Sequence, residues 1–256
     1  TPFLLAIAAD RQDLAEILMP AGSDLLVQGW CGASALHTAA RYGHVDLMEW
    51  LIGQGLPVDL KDEFGEPPLH EAVDWGQTAA VRLLLANGAD AHVRDENGYA
   101  AIHEANSLEM LELLLEAGAP VDDVSGGGCW PLQSACESGD VEIVRYLLNK
   151  GAEPNRTTSG GTALVSATGS GSLEVVKLLL EAGADPNIQD CDGWTCLWRV
   201  DSLPMAELLL RHGADPSIGD ECGCLPEAWT GLPLAVGTLL KKWRLEGPAN
   251  NLASKV

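Results

Sequence analysis

The sequence predicts an all-α fold, in which helix–turn–helix units stack on one another and are joined by projecting turns. Three observations predict it. First, a glycine recurs through the chain at Gly22, Gly55, Gly88, Gly118, Gly151, Gly183 and Gly213. All but Gly55 are followed by Ala or Ser and then by Asp, Glu or Pro; Gly55 is followed by Leu56-Pro57. Glycine takes up the left-handed conformation that ends a helix at little steric cost, so each of these marks a helix terminus. Second, six first-helix starts align: Ser34-Ala35-Leu36-His37, Pro67-Pro68-Leu69-His70, Ala100-Ala101-Ile102-His103, Trp130-Pro131-Leu132-Gln133, Thr162-Ala163-Leu164-Val165 and Thr195-Cys196-Leu197-Trp198. Third, an apolar second segment runs up to the closing glycine, as Val81, Leu83, Leu84 and Leu85 do before Gly88.

The stretch Asp62–Arg94 shows the whole unit in 33 residues. A turn (Asp62, Gly65) opens it, Pro67-Pro68-Leu69-His70 starts a short helix, Gly76 breaks that helix, and Gly88-Ala89-Asp90 closes a second one. The pattern resembles an ankyrin repeat, with its period of about 33 and its T-P-L-H-x-A-like start. The resemblance extends from about residue 1 to about residue 244. It implies an ankyrin-repeat solenoid, because one unit cannot bury its apolar faces alone and neighbours must stack. It also implies a concave surface of turn fingers and first helices, which in that family usually contacts other proteins. A histidine at the fourth position of the start, as at His37 and His70, is expected to tie a helix to a neighbouring finger by a hydrogen bond.

Taken in order, the expected repeats are 1–28, 29–61, 62–94, 95–124, 125–157, 158–189 and 190–219, then a cap at 220–244 and a tail at 245–256. The first lacks its finger, and its outer side serves as the N-terminal cap unless more chain precedes it. The chain begins inside a repeat with no initiator Met, so an upstream segment is one expectation. Repeats 29–61 and 62–94 are the most regular. In 95–124 three residues are missing between His103 and Gly118, and the same deletion recurs between Trp198 and Gly213. The flanking sequences Ser107-Leu108-Glu109-Met110 and Ser202-Leu203-Pro204-Met205 match as well. The recurrence suggests a duplicated three-repeat block, with a shortened first helix and a notch at each short member. Ser125-Gly126-Gly127-Gly128 reads as a loose or adaptable finger. Gly169-Ser170-Gly171-Ser172 leaves a bare inter-helix turn. Pro226, Gly231 and Pro233 interrupt the last unit, and Leu234, Val236, Leu239 and Leu240 form a final amphipathic helix with Lys241, Lys242 and Arg244 on its other side.

Composition narrows the function. The formal net charge is −22, with 15 basic against 37 acidic residues. Phosphate binding needs clustered Lys and Arg, so nucleic acid is not the expected partner; a basic protein is. No apolar run reaches the roughly 18 residues of a membrane span. The seven cysteines are odd in number and show no repeated spacing, which reads as reduced thiols in a cytoplasmic protein; by itself the chain is expected to be a monomer. Cys191, Cys196, Cys222 and Cys224 fall on adjacent fingers, but their spacing matches no zinc module, and packing explains them better. Neither a catalytic motif nor a phosphate loop is present, so no enzyme activity and no cofactor are expected.

The aromatic residues point to the expected contact face. Eight Trp accompany only two Phe. In family register Trp30, Phe64, Tyr99 and Trp194 lie on fingers, Tyr42 and Trp75 end first helices, and Trp198 takes the histidine position. Glu63, Glu66, Asp74, Glu96, Glu137 and Asp192 are interleaved with them. Trp50 and Trp130 are expected between repeats, and Trp229 and Trp243 in the cap. Aromatics on a fixed frame make binding anchors, and carboxylates beside them suit a cationic ligand. One form of this function is an inhibitor or immunity-type protein that covers a basic partner. Two alternatives stand beside it: a reader of methylated lysine with a cage at Trp30, Tyr42, Phe64 and Trp75, and a structural segment of a larger protein.

Overall fold

The computed structural model describes residues 1–19, 29–158 and 160–252. The helix end expected at Gly22 lies outside them. Among the described residues there are thirteen α-helices and no strand beyond isolated bridges. The chain forms two compact units, residues 1–127 and 128–256. The first holds α1 (Pro2–Ala8), α2 (Gln12–Leu18), α3 (Ala35–Tyr42), α4 (Val45–Gly53), α5 (Pro68–Asp74), α6 (Thr78–Ala86) and α7 (Leu108–Glu116). The second holds α8 (Pro131–Ser138), α9 (Val141–Asn149), α10 (Ala163–Ser170), α11 (Leu173–Glu181), α12 (Leu203–Arg211) and α13 (Leu234–Leu252).

Several helices start where the sequence supplies a side-chain cap. Ser34 accepts from the His37 amide, Ser107 from the Met110 amide and Asp140 from the Ile143 amide, satisfying amides that have no intrahelical partner. The helices pack through small and branched side chains. Leu36, Ala39, Ala40, Leu69, Ala72 and Val73 are fully buried where α3 meets α5. Burial contributes about 2 kcal/mol for each large apolar side chain.

A polar ladder connects the fingers to the helices of the first unit. His37 Nε2 donates to the carbonyl of Glu66 at 2.9 Å, His70 Nε2 to that of Val93 at 3.0 Å, and His103 Nε2 to that of Asp123 at 3.1 Å. The tautomer follows from the other nitrogen. The Ser34 amide donates to His37 Nδ1 at 3.1 Å and the Ala100 amide to His103 Nδ1 at 3.0 Å, so the proton sits on Nε2. His70 lacks this partner. The residue three before it is Pro67, which has no N–H, and His70 Nδ1 is buried without a hydrogen bond.

Four of the fingers are built on one aspartate each. Asp62 Oδ1 accepts from the amides of Phe64 and Glu66, and Asp95 Oδ1 from those of Asn97 and Tyr99. Asp190 and Asp220 do the same in the second unit. Successive fingers are joined by the Glu63 amide on the Cys31 carbonyl at 2.9 Å and the Glu96 amide on the Phe64 carbonyl at 2.8 Å.

The finger at Gly126-Gly127 differs from the loose loop its composition suggests. Gly126 donates to the Gly98 carbonyl at 3.1 Å, and a Cβ added to it would lie 1.6 Å from the Asn97 carbonyl oxygen. Gly126 therefore allows a close backbone approach that no side chain permits.

In both short repeats the first helix is reduced to a 3-10 turn, Ala101–Glu104 and Cys196–Arg199. The final helical span reaches Leu252 and is broken at Gly247, where the backbone takes a positive φ before Pro248. Its Arg244 is held by Glu227 at 2.7 and 3.0 Å, so that cation braces the 3-10 turn Pro226–Ala228.

Two substitutions test these constraints. Pro67→Ser restores the amide that His70 Nδ1 lacks. Relief of a buried unsatisfied nitrogen outweighs the lost proline rigidity, giving a gain of about 1 kcal/mol in urea unfolding; an unchanged or lower stability refutes the assignment. Gly126→Ala drives its methyl into the Asn97 carbonyl and lowers stability by roughly 2–3 kcal/mol in the same assay.

Candidate functional site

In the first unit, α3, α5, the 3-10 turn Ala101–Glu104 and the two fingers at 62–66 and 95–99 gather carboxylates and aromatics. Glu71 is buried on α5 and receives a two-pronged bond from Arg41, Nε to Oε2 at 2.7 Å and Nη2 to Oε1 at 2.5 Å. The Arg41 guanidinium also lies 5.4 Å from the centroid of the Trp75 ring. Tyr42 stacks on His44 with centroids 5.7 Å apart, and Tyr42, Phe64 and Trp75 are each about half exposed.

Glu66 and Glu104 are half-buried, and both are pushed up to about 7. Desolvation is the largest cause for each. The carboxylates of Asp62, Glu71, Asp95 and Asp74 add to it at Glu66; those of Asp74, Glu66, Asp95 and Glu71 add to it at Glu104. Charges of one sign, held by a folded frame, cannot move apart, so protonation relieves them. Burial pushes the His37 and His70 imidazoles the other way, below their usual range, and keeps them neutral.

The expected contact residues are therefore sorted by the structure. Tyr42, Phe64, Glu66, Asp74 and Trp75 come together around Arg41 and Glu71. Glu63 and Glu96 are exposed on the fingers, and Tyr99 is half-buried with its ring edge-on to His103 at 5.8 Å. The side chain of Trp30 lies outside the described part of the chain. In the second unit Asp192 is exposed, and Glu137 is exposed and accepts from Ser166 Oγ at 3.2 Å.

Trp198 is not a surface residue: it is 3% exposed. It stacks parallel to Trp194 at 5.3 Å, and Trp229 closes on both, at 5.1 Å from Trp194 and 6.3 Å from Trp198. Arg199 lies 5.9 Å from the Trp194 ring centroid. Cys196 is buried, its thiol pushed up by desolvation and donating to the Pro186 carbonyl at 3.3 Å.

Arg41, Glu71 and Glu104 are the site members that composition and aromatic pattern pass over. A signal for two of them exists: Glu71 and Glu104 each follow the repeat histidine, one period apart, so stacking brings like charges into one neighbourhood.

Fold and site together define a helical repeat protein that presents a prebuilt polar and aromatic surface. The chain belongs to the ankyrin repeat family: the family model described as "Ankyrin repeats (3 copies)" matches residues 3–95, 97–190 and 157–220. Repeats of this kind serve as protein–protein interaction modules. Human protein phosphatase 1 regulatory subunit 27 is 38% identical over 57 residues, which is 22% of this chain and 37% of that protein; the match thus spans little more than a third of that relative's length. The crystal structure of the human ASB11 ankyrin repeat domain superimposes with a TM-score of 0.74 at 28% identity, covering 84% of this chain and 99% of that one. The ankyrin repeat domain of Bcl-3, a member of the IkappaB protein family, gives 0.72 at 28% identity, covering 82% and 98%. No helix among the described residues is long and apolar enough to cross a membrane.

The raised carboxyls make a prediction about stability. Glu66 and Glu104 hold protons more tightly folded than unfolded, so their contribution is full below about 4.5 and is lost as pH rises through about 7. Replacing both by Gln removes that loss. Relative to the unaltered chain, the double variant gains on the order of 2 kcal/mol between pH 4 and pH 8 after allowance for solvent screening. Urea unfolding at the two pH values checks it, since the buried histidines act equally in both proteins; a pH-independent difference refutes it.

Proposed function

We propose that the chain is a non-enzymatic interaction module that binds a partner protein through a basic segment. The segment lies on the finger-and-first-helix face of the first unit. One observation carries this reading: Asp62, Glu66, Asp74, Asp95 and Glu104 share an electrostatic neighbourhood in which two carboxyls are pushed up to about 7, beside the exposed rings of Tyr42, Phe64 and Trp75. A bound cation relieves that repulsion directly, and the rings supply area that can be desolvated. The net charge of −22 favours the same partner through steered encounter.

The module acts as a monomer. Exposed thiols at Cys222 and Cys224 suit a reducing compartment such as the cytoplasm. Regulation by occupancy, in which the face covers a basic functional surface, is the inhibitor form of this reading. It agrees with the regulatory role stated in the name of the human phosphatase subunit. The aromatic-cage alternative finds no comparable support. The Trp75 ring already carries Arg41, and no ring–ring contact joins Tyr42, Phe64 and Trp75 among the described residues.

A pulldown with the intact chain and with Glu63→Gln/Asp74→Asn/Glu96→Gln as a second bait tests the reading, after circular dichroism shows both folded. The intact bait retains a protein with a basic segment, released when salt rises from about 0.1 to about 0.5 M as screening shortens the reach of the charges. The triple variant retains roughly a tenth as much, because rim charges act on association and salt dependence. Equal recovery on both baits, or recovery indifferent to salt, sinks the proposal.

A further inference from the structure

Arg41 shows how this face holds a cation. Its guanidinium is gripped by the Glu71 carboxylate on one side and lies over the Trp75 ring. Arg41 and Glu71 also line an open space of similar chemistry. A cavity of about 620 Å³ lies between α1, α3 and the finger at 62–66. Leu5, Tyr42 and Phe64, all exposed, give it apolar walls; Asp62, Glu66 and Glu71 supply its acidic lining, and of these Glu66 makes no side-chain hydrogen bond or ion pair among the described residues.

The geometry points to an arginine side chain of the basic partner as the occupant of this cavity, its guanidinium on Glu66 and its methylenes against Leu5, Tyr42 and Phe64. The inference rests on the proposed function and adds the residue that the partner must supply. Arginine fits better than lysine for a physical reason. A guanidinium is flat and weakly hydrated, so it lies on aromatic rings and pairs with a half-buried carboxylate at lower desolvation cost than an ammonium. Arg41 on Glu71 and Trp75 is the chain's own example.

Occupancy is coupled to a proton. Glu66 faces Asp62 on its own finger, Glu71 and Asp74 on α5, Asp95 on the next finger and Glu104 on the following 3-10 turn. Arg41 on α3, which also lines the cavity, is already paired with Glu71, and His37 and His70 are held neutral by burial. Glu66 therefore still carries a proton for part of the time near neutral pH. The arriving guanidinium replaces that proton, which leaves to solvent.

The probe is the capped tripeptide acetyl-Ala-Arg-Ala-amide, titrated into the ¹⁵N-labelled full chain and followed by amide chemical shifts. Shifts are expected at Tyr42, Phe64 and Glu66, with affinity about tenfold tighter at pH 8 than at pH 6, as the ionised fraction of a group near 7 rises from roughly a tenth to nine tenths. The lysine tripeptide should bind several-fold more weakly, and the citrulline tripeptide should leave these amides unmoved. Glu66→Gln, its fold verified by an otherwise unchanged spectrum, should abolish both the shifts and their pH dependence. Shifts that survive Glu66→Gln, that ignore pH, or that are matched by lysine or citrulline overturn the assignment. If a basic protein is captured in the pulldown but the arginine tripeptide leaves these amides unmoved, the occupant is wrong while the broader reading stands. If the tripeptide binds at Glu66 and no basic protein is captured, the pocket assignment holds and the partner reading fails.

Discussion

The bond from a buried histidine Nε2 to the carbonyl of the next finger is the constraint on which the first unit depends. It is made at His37, His70 and His103. At His37 and His103 a backbone amide donates to Nδ1, which fixes the proton on Nε2, and burial keeps the His37 and His70 rings neutral. Where the histidine points, the finger must follow. The aspartate turn then sets the shape of each finger, since Asp62 and Asp95 each bind two amides of their own loop. A helix, a loop and its neighbour are thus positioned by a handful of polar bonds around an aliphatic core.

That positioning explains why the acidic face exists at all. Free carboxylates would separate. Here Glu71 is fixed on α5, Glu66 on a finger whose carbonyl is held by His37, and Glu104 on a turn whose histidine is held by Asp123. Only Glu71 has an internal cation, Arg41, gripped in a two-pronged arrangement. The others meet the repulsion by keeping protons near neutral pH. A face built this way is less stable than a neutral one, because its carboxylates are held together and cannot move apart.

Much of the fold is legible in the sequence, because glycine spacing and first-helix motifs report local backbone geometry directly. The His37 and His70 bonds follow from residue type and position for the same reason. What is not legible depends on neighbours. Gly126 reads as freedom in isolation and is in fact an obligation, because the Asn97 carbonyl occupies the space of its missing Cβ. The missing partner of His70 follows from Pro67, but only once the Ser34 and Ala100 amides reveal what a residue there should donate. In the site, the aromatics are conspicuous by count, whereas Glu71, Glu104 and Arg41 look like ordinary surface charges until stacking brings them together.

Trp198 carries the comparison one step further. It occupies the histidine position, and the consequence is visible in its surroundings. Ser34 Oγ lies 2.8 Å from His37 Nδ1, while the equivalent Thr195 Oγ1 and the Trp198 Nε1 are both buried without partners. The second unit has exchanged a polar tie for an aromatic one: the indole stacks on Trp194 and draws in Trp229 from beyond the last finger. Two lost hydrogen bonds are offset by the contact area of three large rings, each pair of which contributes about 1 kcal/mol beyond burial. Tryptophan on this chain therefore has two distinct roles, decided by burial. At Trp75 the ring is 53% exposed and meets a guanidinium; at Trp198 it is 3% exposed and meets other rings. The first environment is one a ligand can enter. The second is already filled, so the tryptophans of the second unit act as a brace.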